Sequence, residues 1–144
     1  FTAAGRLGPL HGVVAHSLGT LALTHAVARG LNTERLVLVA PAAPGLTFLR
    51  WFSEVIGMDP DLGDRMRRRI ERKESVDFEH FEPEWVGPRV TQPTLVVHDH
   101  NDKIVPMAVA ERLANALTNS RLHQTSGLGH QRLLQQLLDP GEVQ

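Results

Sequence analysis

The sequence contains no cysteine. That excludes disulfides, thiol nucleophiles and thiolate metal sites, and it is the composition expected of a cytoplasmic protein. No stretch approaches the ~18 consecutive apolar residues that mark a membrane-spanning helix, so no membrane association is expected. The N-terminal residues lack a basic stretch leading into an apolar one, so no signal peptide is expected. There is no excess of one charge either: 15 Lys and Arg stand against 16 Asp and Glu, a net charge of -1. A chain without a field of one sign has no electrostatic reason to bind nucleic acid or an anionic surface. Internal repeats and low-complexity stretches are also missing.

What is present suits one globular domain. The chain has 144 residues, 42% of them hydrophobic and 22% charged, enough to bury a sizeable core. It opens on Phe1 rather than Met, and so reads as a processed or shortened piece of something longer. Phe1 to Leu10, with Gly5, Gly8 and Pro9, reads as a helix end and a turn. Gly12-Val13-Val14-Ala15 is a short apolar strand pattern. Leu18 to Ala28 is built of good helix formers and is followed by Gly30 as a C-cap. Leu36 to Val39 and Thr94 to His98 are further continuous apolar strands, and Arg121 to Thr125 is a fourth. Between and after them, Val109 to Leu117 and Gln131 to Leu138 read as helices. Strands that are apolar throughout and alternate with helices predict an α/β fold, with a parallel sheet of four strands in sequential order, covered on both faces.

Gly45 to Pro88 breaks this alternation. It is long and helical in pattern, and it is expected to be an inserted cap. Phe48, Trp51, Phe52, Phe78, Phe81 and Trp85 lie in it, out of five Phe and two Trp in the whole chain. Such a concentration suits either a pocket wall for an apolar substrate group, with Trp51, Phe52 and Trp85 as candidates, or plain packing of the cap onto the sheet. The basic run Arg67-Arg68-Arg69, with Arg72 and Lys73, is interrupted by Glu71 and Glu74 and reads as a solvated helix face.

Chemistry is concentrated at three places. A serine hydroxyl is a weak nucleophile unless a base lies beside it and donors await the developing oxyanion. A tight strand-to-helix turn meets both needs, and Ala15-His16-Ser17-Leu18-Gly19 sits at such a junction. It is the G-x-S-x-G pattern with Ala15 in place of the first glycine; small residues are expected two before and two after the serine because the turn brings the backbones close. Leu95 to Pro106, reading LVVHDHNDKIVP, and Ser126-Gly127-Leu128-Gly129-His130 are the other two. Together the three stretches resemble the C-terminal part of an α/β-hydrolase: its nucleophile elbow, its acid-bearing loop ending in Val-Pro, and its histidine loop. The resemblance implies Ser17 as nucleophile, Asp102 as acid and His130 as base, in the chain order Ser, Asp, His of that fold. It also implies the Leu18 N–H as an oxyanion donor and no cofactor.

Other assignments compete. Ser17 also suits a helix N-cap. Asp99 competes with Asp102, although Asp99 follows the strand directly, where the family pattern usually has glycine. Seven other histidines compete with His130, but only His130 follows a Gly-x-Gly loop after the last strand. His98-x-His100-x-Asp102 resembles the zinc loop of metallo-β-lactamase-like hydrolases, although Lys103 stands where that pattern has another histidine.

The resemblance also implies strands and helices upstream of the nucleophile strand, and a second oxyanion donor from an upstream loop. Nothing in the sequence corresponds to them. The strand at Val13 is therefore expected to be a bare, pairing-prone edge, covered by a second copy or another chain. The expected activity is cleavage of an ester or related acyl bond in a small molecule with an apolar acyl or alcohol group. The competing expectation is a catalytically incomplete fragment or interaction module of the same fold.

Overall fold

In a computed structural model of the chain, residues 8–138 are described. Most of the expected turn at Phe1 to Leu10 lies outside them. The elements run β1 (Val13–His16), α1 (Leu18–Ala28), β2 (Leu36–Val39), α2 (Gly45–Val55), α3 (Pro60–Glu74), α4 (Pro83–Val86), β3 (Thr94–Asp99), α5 (Met107–Ala116), β4 (Ser120–Thr125) and α6 (Gly129–Leu138). Short 3₁₀ turns at Phe78–Phe81 and Gly87–Arg89 flank α4. The strands form one parallel sheet in the order β1-β2-β3-β4, with Val13 opposite Leu36, Leu36 opposite Thr94 and Thr94 opposite Ser120. The sequential α/β order expected from the strand pattern is the one adopted.

Successive strand residues point to opposite faces, and the two faces are covered very unequally. Leu36, Leu38 and Val96 face Leu23 and Val27 of α1, Val86, Val90, and Ala110, Leu113 and Leu117 at α5, all buried together. On the other face Val39, Ala40 and Val97 meet Leu133 of α6, with Val37 and Leu95 only partly covered. Val14 on β1 is 59% exposed. The expectation of a sheet covered on both faces therefore holds fully for one face and in part for the other. Among the described residues α6 is the helix that contributes to the second buried cluster, and β1 pairs only with β2.

The stretch between β2 and β3 also reaches the main core. Val86 and Val90 are fully buried in the main core, because the chain returns to the sheet across α5. The crossing is tight: a Cβ on Gly87 would lie 2.2 Å from the Ala116 carbonyl oxygen, so a side chain there would force the two backbones apart. Arg112 on α5 secures the same crossing from outside, bonding Glu84 in bidentate fashion and Glu82 at 2.9 Å.

Candidate active site

The turn from β1 into α1 holds Ser17 at φ 52, ψ -125. A non-glycine residue with positive φ is strained, and such strain persists only where surrounding bonds over-determine it. Here the Ser17 N–H donates to the Val39 carbonyl at 2.9 Å, while the Ser17 carbonyl accepts from the Thr20 N–H and from the buried Thr20 hydroxyl at 2.7 Å. The side chain makes no cap bond to α1; it is turned out of the helix, and the N-cap assignment fails on that geometry. A Cβ on Gly19 would meet the Ala15 Cβ at 3.8 Å, an ordinary contact, so the methyl of Ala15 occupies the space that a glycine pair would leave open. The Leu18 N–H, first in α1, has no acceptor inside its own helix.

Ser17, Asp102 and His130 come together from segments far apart in the chain. His130 Nε2 lies 2.9 Å from Ser17 Oγ, and His130 Nδ1 lies 2.6 Å from Asp102 Oδ2. The other Asp102 oxygen accepts the Ile104 and Val105 N–H groups at 2.8 and 2.9 Å. Burial alone would raise the Asp102 pKa, but the Val105 amide, His130 and the Ile104 amide together hold it below the usual carboxylate value.

Asp99 does a different job from Asp102. Its side chain sits at the end of β3, where Oδ1 accepts the Asn101 N–H at 2.8 Å and Oδ2 accepts the Thr125 hydroxyl at 2.7 Å and the Leu128 N–H at 3.1 Å. Burial pushes its pKa up, yet the Thr125 hydroxyl and the Gly129, Leu128 and Asn101 amides outweigh it and bring the pKa from 3.8 to about 2. The unfolded chain therefore takes up this proton first as pH falls. The stabilisation is complete above pH 3.8 and is lost as the pH drops toward 2. Urea denaturation at several pH values is expected to show a falling midpoint across that window, with a flatter profile for Asp99→Asn.

His98, His100 and Asp102 do not assemble a metal site. The buried His98 donates from Nε2 to the Val105 carbonyl at 3.0 Å, His100 bonds the Gln124 side chain, and Asp102 faces His130. Among the described residues no three His, Asp or Glu side chains converge in that way.

Sequence reasoning missed two further contacts. His16, beside the nucleophile, donates from Nε2 to the His130 carbonyl at 3.0 Å. Asn101 accepts the Gly127 N–H at 2.8 Å and the Ser126 hydroxyl at 3.0 Å, stitching the acid loop to the histidine loop. Only the density of polar residues in both loops signals these bonds in the sequence.

Leu18, the residue after Ser17, lines an apolar cavity of about 410 Å³ whose walls also include Leu21, Phe48, Phe52, Phe78 and Phe81. Of the aromatic candidates, Phe52 belongs to this wall and the tryptophans do not. Trp51 is 55% exposed, with its ring 5.8 Å from that of Phe48. Trp85 packs against the main core, with His80 stacked at 4.3 Å and the Arg89 guanidinium 4.2 Å from its ring centre.

A parallel sheet with the serine on a strained strand-to-helix turn, the acid after the third strand and the histidine after the fourth is the architecture of the α/β-hydrolases. Residues 8–136 match the serine hydrolase family model, and the chain belongs to that family. The search of curated proteins found no sequence match. Among solved structures, the chain is similar to lip1 from Acinetobacter baumannii, with TM-score 0.65, 17% identity, and 98% of this chain and 62% of that one covered. Est1E from Butyrivibrio proteoclasticus gives TM-score 0.61 and 22% identity, covering 87% and 54%. MGS-MChE2, an α/β-hydrolase enzyme from the metagenome of lagoon sediments at Mar Chica, Morocco, gives 0.61 and 15%, covering 95% and 62%. The chain thus spans between 54% and 62% of the length of these three structures.

Proposed function

We propose that the protein cleaves an ester or related acyl bond through an acyl-serine intermediate. The observation that carries this reading is the continuous line from Asp102 Oδ2 through His130 to Ser17 Oγ, with steps of 2.6 and 2.9 Å. With Nδ1–H donating to Asp102, Nε2 is free to take the Ser17 proton as Oγ attacks the carbonyl carbon. The oxyanion forms against the Leu18 N–H at the start of α1. His130 then returns the proton to the departing alcohol, leaving the acyl group on Ser17. A water molecule repeats the sequence: it attacks the acyl carbon as His130 takes its proton, and collapse frees the acid and returns the proton to Ser17. The direct test is covalent labelling by a fluorophosphonate, located at Ser17 by peptide mass.

The same reading makes residues 45–88 the cap of one α/β-hydrolase domain and the cavity beside Leu18 the seat of the apolar acyl or alcohol group. Uncharged aromatic and aliphatic walls reward apolar burial and offer a charged substituent nothing.

Among the described residues β1 pairs only with β2, and its other edge favours completion of the sheet by another strand. Unpaired strand edges bearing apolar residues seek partners, and Val14 is one such residue. Residues 1–144 alone are expected to self-associate in sedimentation. Supplying an upstream strand–loop segment, in cis or as a second chain, is expected to give a monodisperse species and, through a second oxyanion donor, roughly 10²-fold more turnover. A monomer of full activity without that segment would rule this out.

A further inference from the structure

Helix α6 carries His130 in its first turn, yet the residue before the helix is Leu128, and a leucine side chain has no oxygen to accept the free N-terminal amides. The acceptor comes from elsewhere. Asp99, only 1% exposed at the end of β3, takes the Leu128 N–H at 3.1 Å, and the Gly129 amide beside it helps to hold its pKa down. Its remaining bonds run to the Thr125 hydroxyl at 2.7 Å and the Asn101 N–H at 2.8 Å. All these partners are neutral donors. Arg132, the cation of the first turns of α6, instead bonds the Leu128 and Gly127 carbonyls.

Given the reading of Ser17, Asp102 and His130 as a triad, we propose that Asp99 is the positioning residue for His130, capping α6 from a distant strand. The Leu128 N–H that it holds belongs to the residue two before His130. Gly129, between them, takes φ +67. A negative charge at a helix N-terminus is favourable in itself, and here it also fixes where the helix begins relative to β3. The Asn101 bond ties the same carboxylate to the loop that bears Asp102. One buried side chain thereby sets the acid and the base relative to each other. The triad hydrogen bonds themselves do not involve it.

Asparagine cannot replace this group. It offers one acceptor oxygen and one donor nitrogen, while N–H groups approach both carboxylate oxygens of Asp99, so one N–H would face another. In the full chain, Asp99→Asn is expected to lower kcat for a p-nitrophenyl ester by about 10–100-fold, the scale of a slightly misplaced catalytic group. KM should stay within about twofold, and fluorophosphonate titration should still count nearly one active serine per chain, because the acyl cavity and Ser17 are untouched. Thr125→Val, which frees one carboxylate oxygen to turn, is the second variant and is expected to lower kcat several-fold with KM unchanged. Wild-type kcat in either variant would overturn the proposal, as would a loss explained entirely by fewer titratable serines. Failure of the wild-type protein to label at Ser17 would instead remove the triad reading on which it rests.

Discussion

Ser17→Ala is expected to abolish fluorophosphonate labelling and to lower kcat by about 10⁶-fold, the scale seen when a triad serine is removed from a hydrolase. The size of the effect follows from the geometry. Ser17 Oγ is the atom in line with His130 Nε2 at 2.9 Å, and alanine leaves the imidazole nothing to deprotonate except water. Stability should rise slightly or stay level, since the hydroxyl caps no helix and α1 keeps its Thr20 support. Turnover of a p-nitrophenyl ester, measured on protein free of contaminating esterases, decides the matter. Activity that survives in Ser17→Ala would mean that the reaction runs at another group.

Asp102→Asn is expected to leave the fold in place and to lower kcat by about 10⁴-fold. The asparagine oxygen can still accept the Ile104 and Val105 amides, so the loop keeps its shape. Its NH₂ group then faces His130 Nδ1, which must accept rather than donate. The ring proton moves to Nε2, and the nitrogen aimed at Ser17 can no longer take a proton. Melting temperature and kcat measured together separate the two effects. A kcat within tenfold of wild type, with an unchanged melt, would show that Asp102 does not set the tautomer.

Ser17, Asp102 and His130, which the fold brings together, could be singled out because each sits in a local signal. A serine between an apolar strand and a helix, an acid several residues beyond a strand, and a histidine after a Gly-x-Gly loop are all short-range patterns, and the strand order followed from the alternation of elements. What could not be read depends on partners far away in sequence. His16 bonds a carbonyl 114 positions on, and Asp99 bonds groups 26 and 29 positions on. Composition also does not say which way a side chain faces. Phe48 and Phe52 turn part of their surface into the cavity, but Trp51, on the same helix, does not line it and Trp85 is taken up by core packing. The apolar strands likewise predicted cover for both sheet faces without revealing that α6 supplies most of it on one side.

The helical excursion between β2 and β3 has a bearing on how such a protein can diversify. Leu36 to Val39 lie in register with Thr94 to Val97, so the chain leaves the sheet and rejoins it on adjacent strands. The whole insertion hangs from that pair of neighbouring points. Loop closure grows only slowly with length, about 0.6 kcal/mol for each doubling, so α2 and α3, which add no residue to the main core, can lengthen, shorten or be exchanged at little thermodynamic expense. Ser17 lies before it, and Asp102 and His130 lie after it on elements locked by their own sheet bonds. Selection can therefore rewrite the cavity wall at Phe48 and Phe52 on α2 while Ser17, Asp102 and His130 keep their spacing.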